Sequence, residues 1–189
     1  LSSYAQYRAL TANLGARLSR VDMNVKLTEP GADASIRSVT ALDGEAHADV
    51  TTVIDHAAPH TTSRQLFKSV LGGRARSVSQ GKVTVREGAV KSDSHQLFKA
   101  LLLGPRAEAD AKPELEIFAD DVVCGHGTAI GALDADALFY LRSRGIPELE
   151  ARSMLVRAFL EDAIEGFTEG EIRDALWQRI DRALETISG

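Results

Sequence analysis

The sequence predicts a mainly β fold, a parallel β-helix of stacked coils followed by a small C-terminal all-α region. Three observations point there. Apolar and polar residues tend to alternate from Leu14 to about Ile54, an eleven-residue segment recurs at an offset of 31, and after Gly131 the apolar period changes to that of a helix. The expected division is a β-helix core over residues 1–131 and a helical domain over 132–189.

Residues 1–13 are open between strand and helix, because Tyr4, Tyr7 and Leu10 stand three apart. Val21, Met23, Val25 and Leu27 then alternate with Asp22, Asn24 and Lys26, the signature of a strand with one buried face. Pro30-Gly31-Ala32-Asp33 and Asp43-Gly44 are turns, and Ala46, Ala48, Val50, Thr52 and Ile54 form a second alternating run. Its Thr51-Thr52-Val53-Ile54 segment is β-branched, which favours extended backbone.

SRQLFKSVLGG at 63–73 returns as SHQLFKALLLG at 94–104, with seven of eleven positions identical. Between the copies Val78, Val83 and Val85 fit a strand, and Gly81 and Gly88 are expected at corners. A short repeat with strand character fits successive coils of a solenoid, and a duplicated hairpin also fits it. No helical period long enough for a βαβ crossover occurs from 14 to 125, so a parallel sheet here requires a β-helix; a sandwich or barrel is the competitor.

The helices follow from caps and stripes. Asp134 is placed to cap a first helix carrying Leu138 and Leu141, with Arg142 and Arg144 in its last turn and Gly145 as its stop. Pro147 suits the first turn of a second, whose Ala151, Met154, Leu155 and Ala158 recur at helical spacing until Gly166 breaks it. Thr168 and Glu171 have capping-box spacing before a third, with a stripe of Ile172, Ala175, Leu176, Ile180, Ala183, Leu184 and Ile187. Stripes of this length need a partner surface.

The composition excludes several classes. A net charge of -5, from 22 basic and 27 acidic residues, argues against nonspecific nucleic-acid binding. No apolar run reaches the length of a membrane span, and a single cysteine excludes an intrachain disulfide and fits the cytosol. The start, without Met or a signal-peptide core, suggests a fragment or processed chain.

Cys124 and His126, two residues apart and on one face if extended, are a thiolate and imidazole pair suited to zinc or iron-sulfur chemistry. They are half of a tetrahedral set, so a cluster here needs ligands from another chain; a buried free cysteine beside a hydrogen-bonded histidine is the alternative. His47, His56 and His60 are further candidates, with His56 and His60 expected at a surface or turn because Pro59 divides them. Asp110, Glu114, Glu116, Asp120 and Asp121 could hold a hard cation or serve a β-helix polysaccharide hydrolase or lyase, against the simpler reading of a solvated outer face. No P-loop, dinucleotide-binding or Gly-x-Ser-x-Gly pattern is present.

KPELEIFADDVVCGHGTAIGALDADALFYLRSRGI at 112–146 closely resembles the SufB/SufD family of iron-sulfur cluster assembly proteins, and its SufD branch in particular. TTSRQ at 61–65, QGK at 80–82, Lys91-Ser92-Asp93 with Gln96, and the run from LLLG to KPELEI at 101–117 fall in the family's order. SufB-type members tend to carry an acidic residue at the position of Gly125, where a serine is also common, and diverge through HGTAIGALD. The resemblance implies a right-handed parallel β-helix with C-terminal helices, acting without catalysis of its own as a scaffold. The implied partners are a SufB-like subunit, met at the β-helix edges, and a SufC-like ABC ATPase docked on the helices; a homodimer in isolation stays open. It also implies a transient iron-sulfur cluster at the SufB interface, with His126 and the nearby Cys124 as ligands. Phe139, Tyr140, Arg142 and Arg144 are the residues expected to meet the ATPase, with the aromatics alternatively in the core. A purely structural SufB partner, with Cys124 and His126 in the core, is the remaining reading.

Overall fold

The computed structural model describes residues 1–187. Nine parallel strands form the β part: β1 (Gln6–Leu14), β2 (Leu18–Leu27), β3 (Asp33–Leu42), β4 (His47–His56), β5 (Thr62–Leu71), β6 (Arg76–Val85), β7 (Asp93–Leu102), β8 (Glu108–Ile117) and β9 (Val123–Gly131). Odd strands pair in the order β1-β3-β5-β7-β9 and even strands in the order β2-β4-β6-β8, so the chain winds as a parallel β-helix of four two-strand coils and opens a fifth with β9. Three helices follow, α1 (Ala135–Ser143), α2 (Glu148–Ile164) and α3 (Gly170–Ile187).

The coils stack in the register that the repeat predicts. Ser63 pairs with Ser94, Gln65 with Gln96, and Phe67 with Phe98. The two phenylalanine rings stack with centroids 4.8 Å apart, inside a core of Leu27, Ile36, Val50, Ile54, Val83 and Val85. Like side chains superpose because each coil repeats the backbone of the one before; an aromatic pair of this kind adds roughly 0.5–1.5 kcal/mol beyond its buried area. A smaller cluster, Leu42, Ala48, Leu71, Ala75 and Ala107, fills one corner.

The helices lie on the outer face of the odd-strand sheet. Val156, Leu160, Ala163 and Ile164 of α2 and Trp177, Ile180 and Leu184 of α3 bury Val39, Ala41 and Val70. Strand alternation is accordingly lost in the second halves of β3 and β5, where both faces are covered. Cations of the sheet hold the C-terminal end of α2, whose last carbonyls lack intrahelical partners. Arg37 Nη1 donates to the carbonyls of Asp162 (2.8 Å) and Glu165 (3.0 Å), Arg8 Nη2 to that of Gly166 (2.8 Å), and Lys68 Nζ to that of Phe159 (2.5 Å). Lys68 also pairs with Asp162, and both guanidinium groups lie within 5 Å of the centroid of the Phe167 ring. Burial pushes the Lys68 ammonium below its ordinary value, against the pull of Asp162.

Residues 6–14, open between strand and helix from the sequence, are strand, because β1 completes a ladder with β3, and Tyr4 lies outside it on an exposed turn. Several expectations are corrected. β3, which the alternation between the two turns does not separate out, is a full strand. Gly81 lies inside β6 rather than at a corner, and a Cβ there would meet Gln96 Oε1 at 2.4 Å and the Phe98 ring at 2.7 Å. Gly88 does occupy a corner, with φ +81°. His56, expected at a surface or turn, is fully buried: it points inward from β4, with Nδ1 2.8 Å from Thr61 Oγ1 and Nε2 2.8 Å from Ser63 Oγ.

Asp134 caps α1, accepting from the amides of Asp136 (2.9 Å) and Ala137 (3.1 Å), and Gly145 follows its end with φ +87°. Pro147 is the N-cap of α2, one position ahead of its first turn. In α2 only Ala151 of the predicted stripe is buried and Met154 is exposed; in α3 Ile172 is exposed and Trp177 is buried. In α2 the sheet takes a face rotated from the stripe that apolarity alone selects, whereas in α3 the stripe's Ile180 and Leu184 are buried and its Leu176, Ala183 and Ile187 pack against the same core. No capping box forms at Thr168, whose Oγ1 has no hydrogen-bond partner among the described residues.

Candidate functional site at the open edge

Strand β9 is the last of its sheet and pairs only with β7 among the described residues; β8 pairs only with β6. The inward row of β7, Ser94, Gln96, Phe98 and Ala100, is continued on β9 by Cys124, His126, Thr128 and Ile130. Period-2 alternation thus puts both candidate ligands on the interior side of an edge with no further coil above it. Cys124 is half-buried against the core and His126 is exposed. Ile117, Phe118, Val123 and Ile130 leave a large part of their apolar surface exposed around the same end.

Burial pushes the Cys124 thiol up from its ordinary value; the Ser94 backbone opposes this and the Asp93 charge adds to it. A metal binding there must displace the thiol proton. Among the described residues no group of three or more His, Cys, Asp or Glu could hold a metal ion. One thiolate and one imidazole fit the donor chemistry of an iron-sulfur cluster, and two donors leave its remaining positions to another molecule. His47 and His60 stand on other strands and turns, and His56 is committed to the interior.

The acidic stretch behaves as a solvated face. Asp110 pairs with Arg76 at 2.6 Å, Glu116 with Lys82 at 2.9 Å and Glu114 with Lys112 at 2.7 Å. Asp120 and Asp121 occupy the exposed turn before β9, with Asp121 tied to Lys91 at 2.5 Å. Asp110, Glu114, Glu116 and Asp121 are thus each engaged with a neighbouring cation, which leaves them poorly placed as a catalytic carboxylate pair.

Helix α1 buries none of its residues. Phe139 and Tyr140 are 73% and 56% exposed, so neither is a core aromatic. Arg144 stacks over the Tyr140 ring at 5.0 Å, and Arg142 pairs with Glu148 at 3.3 Å. Phe139 and Arg142 line a cleft of about 520 Å³ with Gly145, Ile146 and Pro147 at the α1–α2 junction.

Sequence reasoning missed the groups beside the candidate ligands. His95, on the outward row of β7, is the register partner of Gly125, and Asp93 and Arg64 form an ionic chain with it. The offset of 31 already aligns Arg64 with His95; what it lacks is the β7–β9 pairing, since β9 is not a copy of the repeat.

Comparison with known proteins agrees with this architecture. The family profile described as SUF system FeS cluster assembly, SufBD core domain, matches residues 1–159. An iron-sulfur cluster assembly SufBD family protein of Synechocystis is 35% identical over 92% of the chain and 38% of its own length. The iron-sulfur cluster assembly protein SufD of Escherichia coli is 33% identical over 90% of the chain and 40% of its own length. A SufBD family protein of Mycobacterium leprae is 35% identical over 97% and 49%. The chain therefore spans from 38% to 49% of the length of these three relatives. A parallel β-helix in register, an edge strand carrying Cys124 and His126, and a profile match over most of the residues lead to one assignment: this chain belongs to the SUF-system SufBD family of iron-sulfur cluster assembly proteins.

Proposed function

We propose that the protein containing this chain is a SufD-type, noncatalytic scaffold subunit that supplies His126, with Cys124, to a nascent iron-sulfur cluster completed by a SufB-type partner. The cluster is the cargo of the assembly. The observation that carries this reading is the open edge: the only thiol and an exposed imidazole share the inward row of a strand with one unpaired side. That edge suits strand addition, because β9 contains no Asp, Glu, Lys, Arg or Pro. The β8 edge is blunted by Pro113 and by charges at Glu108, Asp110, Lys112, Glu114 and Glu116. Exposure of His126 also weighs against a purely structural role with both residues in the core.

We further propose that α1 and the cleft beside it receive a SufC-type ATPase, through Phe139, Tyr140, Arg142 and Arg144. An exposed aromatic pair with flanking arginines has the composition of an interface centre. No described helix is long and apolar enough to cross a membrane, and the half-buried unpaired thiol fits a reducing compartment, most simply the cytosol.

The test is His126→Ala in the full-length protein, co-expressed with SufB-type and SufC-type partners and purified without oxygen. The subunits should still co-purify, while bound iron and acid-labile sulfide fall about tenfold or more, the effect expected on losing a ligand in a minimal set. Normal iron and sulfide in the intact complex would remove His126 from the site.

A further inference from the structure

The outer face of the odd-strand sheet carries a charge pattern opposite to that of the chain. The net charge is -5, yet three neighbouring outward rows hold no Asp or Glu. From β1 to β7 they run Arg8-Ser35-Arg64-His95, Leu10-Arg37-Leu66-Leu97 and Ala12-Val39-Lys68-Lys99. On β9 they end in Gly125, Gly127 and Ala129, so no long side chain of β9 covers them.

Carboxylates from outside these rows answer only part of the charge. Asp93 pairs with Arg64 at 2.5 Å, and Asp162 of α2 pairs with Lys68. Arg8 and Arg37 donate to helix carbonyls, neutral acceptors that leave the positive charge standing. Burial, and after it the Arg8 charge, hold the Arg37 guanidinium below its ordinary value, with Asp162 pulling the other way. Lys99 stands one coil after Lys68 in the same row, half-buried, and its ammonium has neither a helix carbonyl nor a carboxylate as partner among the described residues. Arg64 Nε and Arg37 Nη2 likewise donate to no acceptor among the described residues. A cleft of about 340 Å³ opens beside them, lined by Leu66 and Leu97 together with Arg37, Arg64 and His95. Two guanidinium groups against the single Asp93 carboxylate leave about one charge in excess, which suits an incoming carboxylate better than a dianion.

We propose that the outer face of β5 and β7 docks an extended acidic segment of the partner that joins at the β9 edge. The proposal rests on the SufB-type reading for the identity of that partner. The face is continuous with the edge, and only Gly125, Gly127 and Ala129 lie on the outward way from one to the other. Laid along β7, an extended segment sets alternate side chains over successive rows. An acidic residue stands over Arg64 and His95, an apolar one two positions on lies over Leu66 and Leu97, and a second acidic residue two further on meets Lys99. The pattern reads the same in both chain directions, so it holds for a parallel or an antiparallel segment. Charges of this kind select the partner and its register more than they add to affinity.

The experiment takes the full-length protein in complex with its SufB-type partner and couples carboxylates to amines with a water-soluble carbodiimide, which leaves no spacer. Mass spectrometry should find Lys99 Nζ joined to an Asp or Glu of the partner, within a segment of that alternation. A link from Lys99 only to its own polypeptide, or no link at all, overturns the proposal. Lys99→Glu sets like charges against each other and should weaken partner binding about tenfold or more, and Lys99→Gln by a smaller factor with a shallower salt dependence. Unchanged affinity in Lys99→Glu also overturns it. The two readings fail separately. Loss of the partner in Ile130→Lys with unchanged affinity in Lys99→Glu keeps the β9 edge and removes the outer-face surface; the reverse pattern removes the edge and keeps the surface.

Discussion

His56 is the residue whose chemistry departs furthest from its sequence context. Burial pushes its imidazole down to about 4 from an ordinary 6.5, although the Asp55 and Asp93 charges pull it up. The ring is held between Thr61 and Ser63, and those hydroxyls continue to Ser92 at 2.9 Å and Ser94 at 2.8 Å, forming a polar row inside an apolar solenoid. A pKa lowered on folding means that the unfolded chain binds the proton first. Stability from this group is therefore complete above about pH 6.5 and declines as pH falls towards 4, by on the order of 3 kcal/mol in total. Urea midpoints of the full-length protein should fall through that window. His56→Gln should be less stable at pH 7 and should show a shallower decline; equal slopes for the two proteins would mean that His56 does not titrate as its burial requires.

At the scale of the element, β6 and β7 show how a coil accommodates its neighbours. Gly81 has no side chain because Gln96 and Phe98 reach across from β7 into the volume that a Cβ would occupy. Gly81→Ala should cost about 1–3 kcal/mol, the usual penalty for overpacking a close-packed interior. The cause is a specific collision, so the cost should shrink when Phe98 is shortened to Leu in the same protein. A double-mutant cycle on urea midpoints reads this coupling, and strictly additive losses would show that Phe98 is not the colliding group and leave Gln96, nearer to the Cβ position, as the cause. The same element logic holds α2 in place: its last carbonyls find donors in Arg8, Arg37 and Lys68, which stand on three different strands.

At the scale of the whole molecule, the solenoid ends in one edge guarded by charge and proline and another left bare. Ile130, on the inward row of β9 and 45% exposed, should lie inside the proposed interface with a SufB-type subunit. Ile130→Lys should abolish co-purification with that subunit, since a buried unpaired ammonium is costly and a lysine on an edge strand opposes pairing. The helices, which pack elsewhere on the sheet, should keep their circular dichroism signal. A complex of unchanged affinity would move the interface away from β9.

The sequence by itself determined the architecture and the identity of the candidate ligands. Alternation, the segment repeated at 31 residues, the Asp134 cap and the Gly145 stop are local signals, and each reports a backbone state that the tertiary structure kept. That Cys124 and His126 share one face was legible for the same reason, because two residues apart on a strand means one face. What needed the structure was the relations between coils outside the repeat and the face that α2 buries. His56 is buried because β4 turns it towards the hydroxyls of the next coil; Trp177 is buried and Ile172 exposed because of where the sheet lies. His95 reaches the candidate site only because β9 stacks on β7 with a glycine beneath the ring. His95 and Gly125 stand about a coil apart in sequence, His56 and Ser63 seven residues apart across a turn, and Trp177 far from the strands it covers, so only the packing of coils and helices decides which side chains become neighbours.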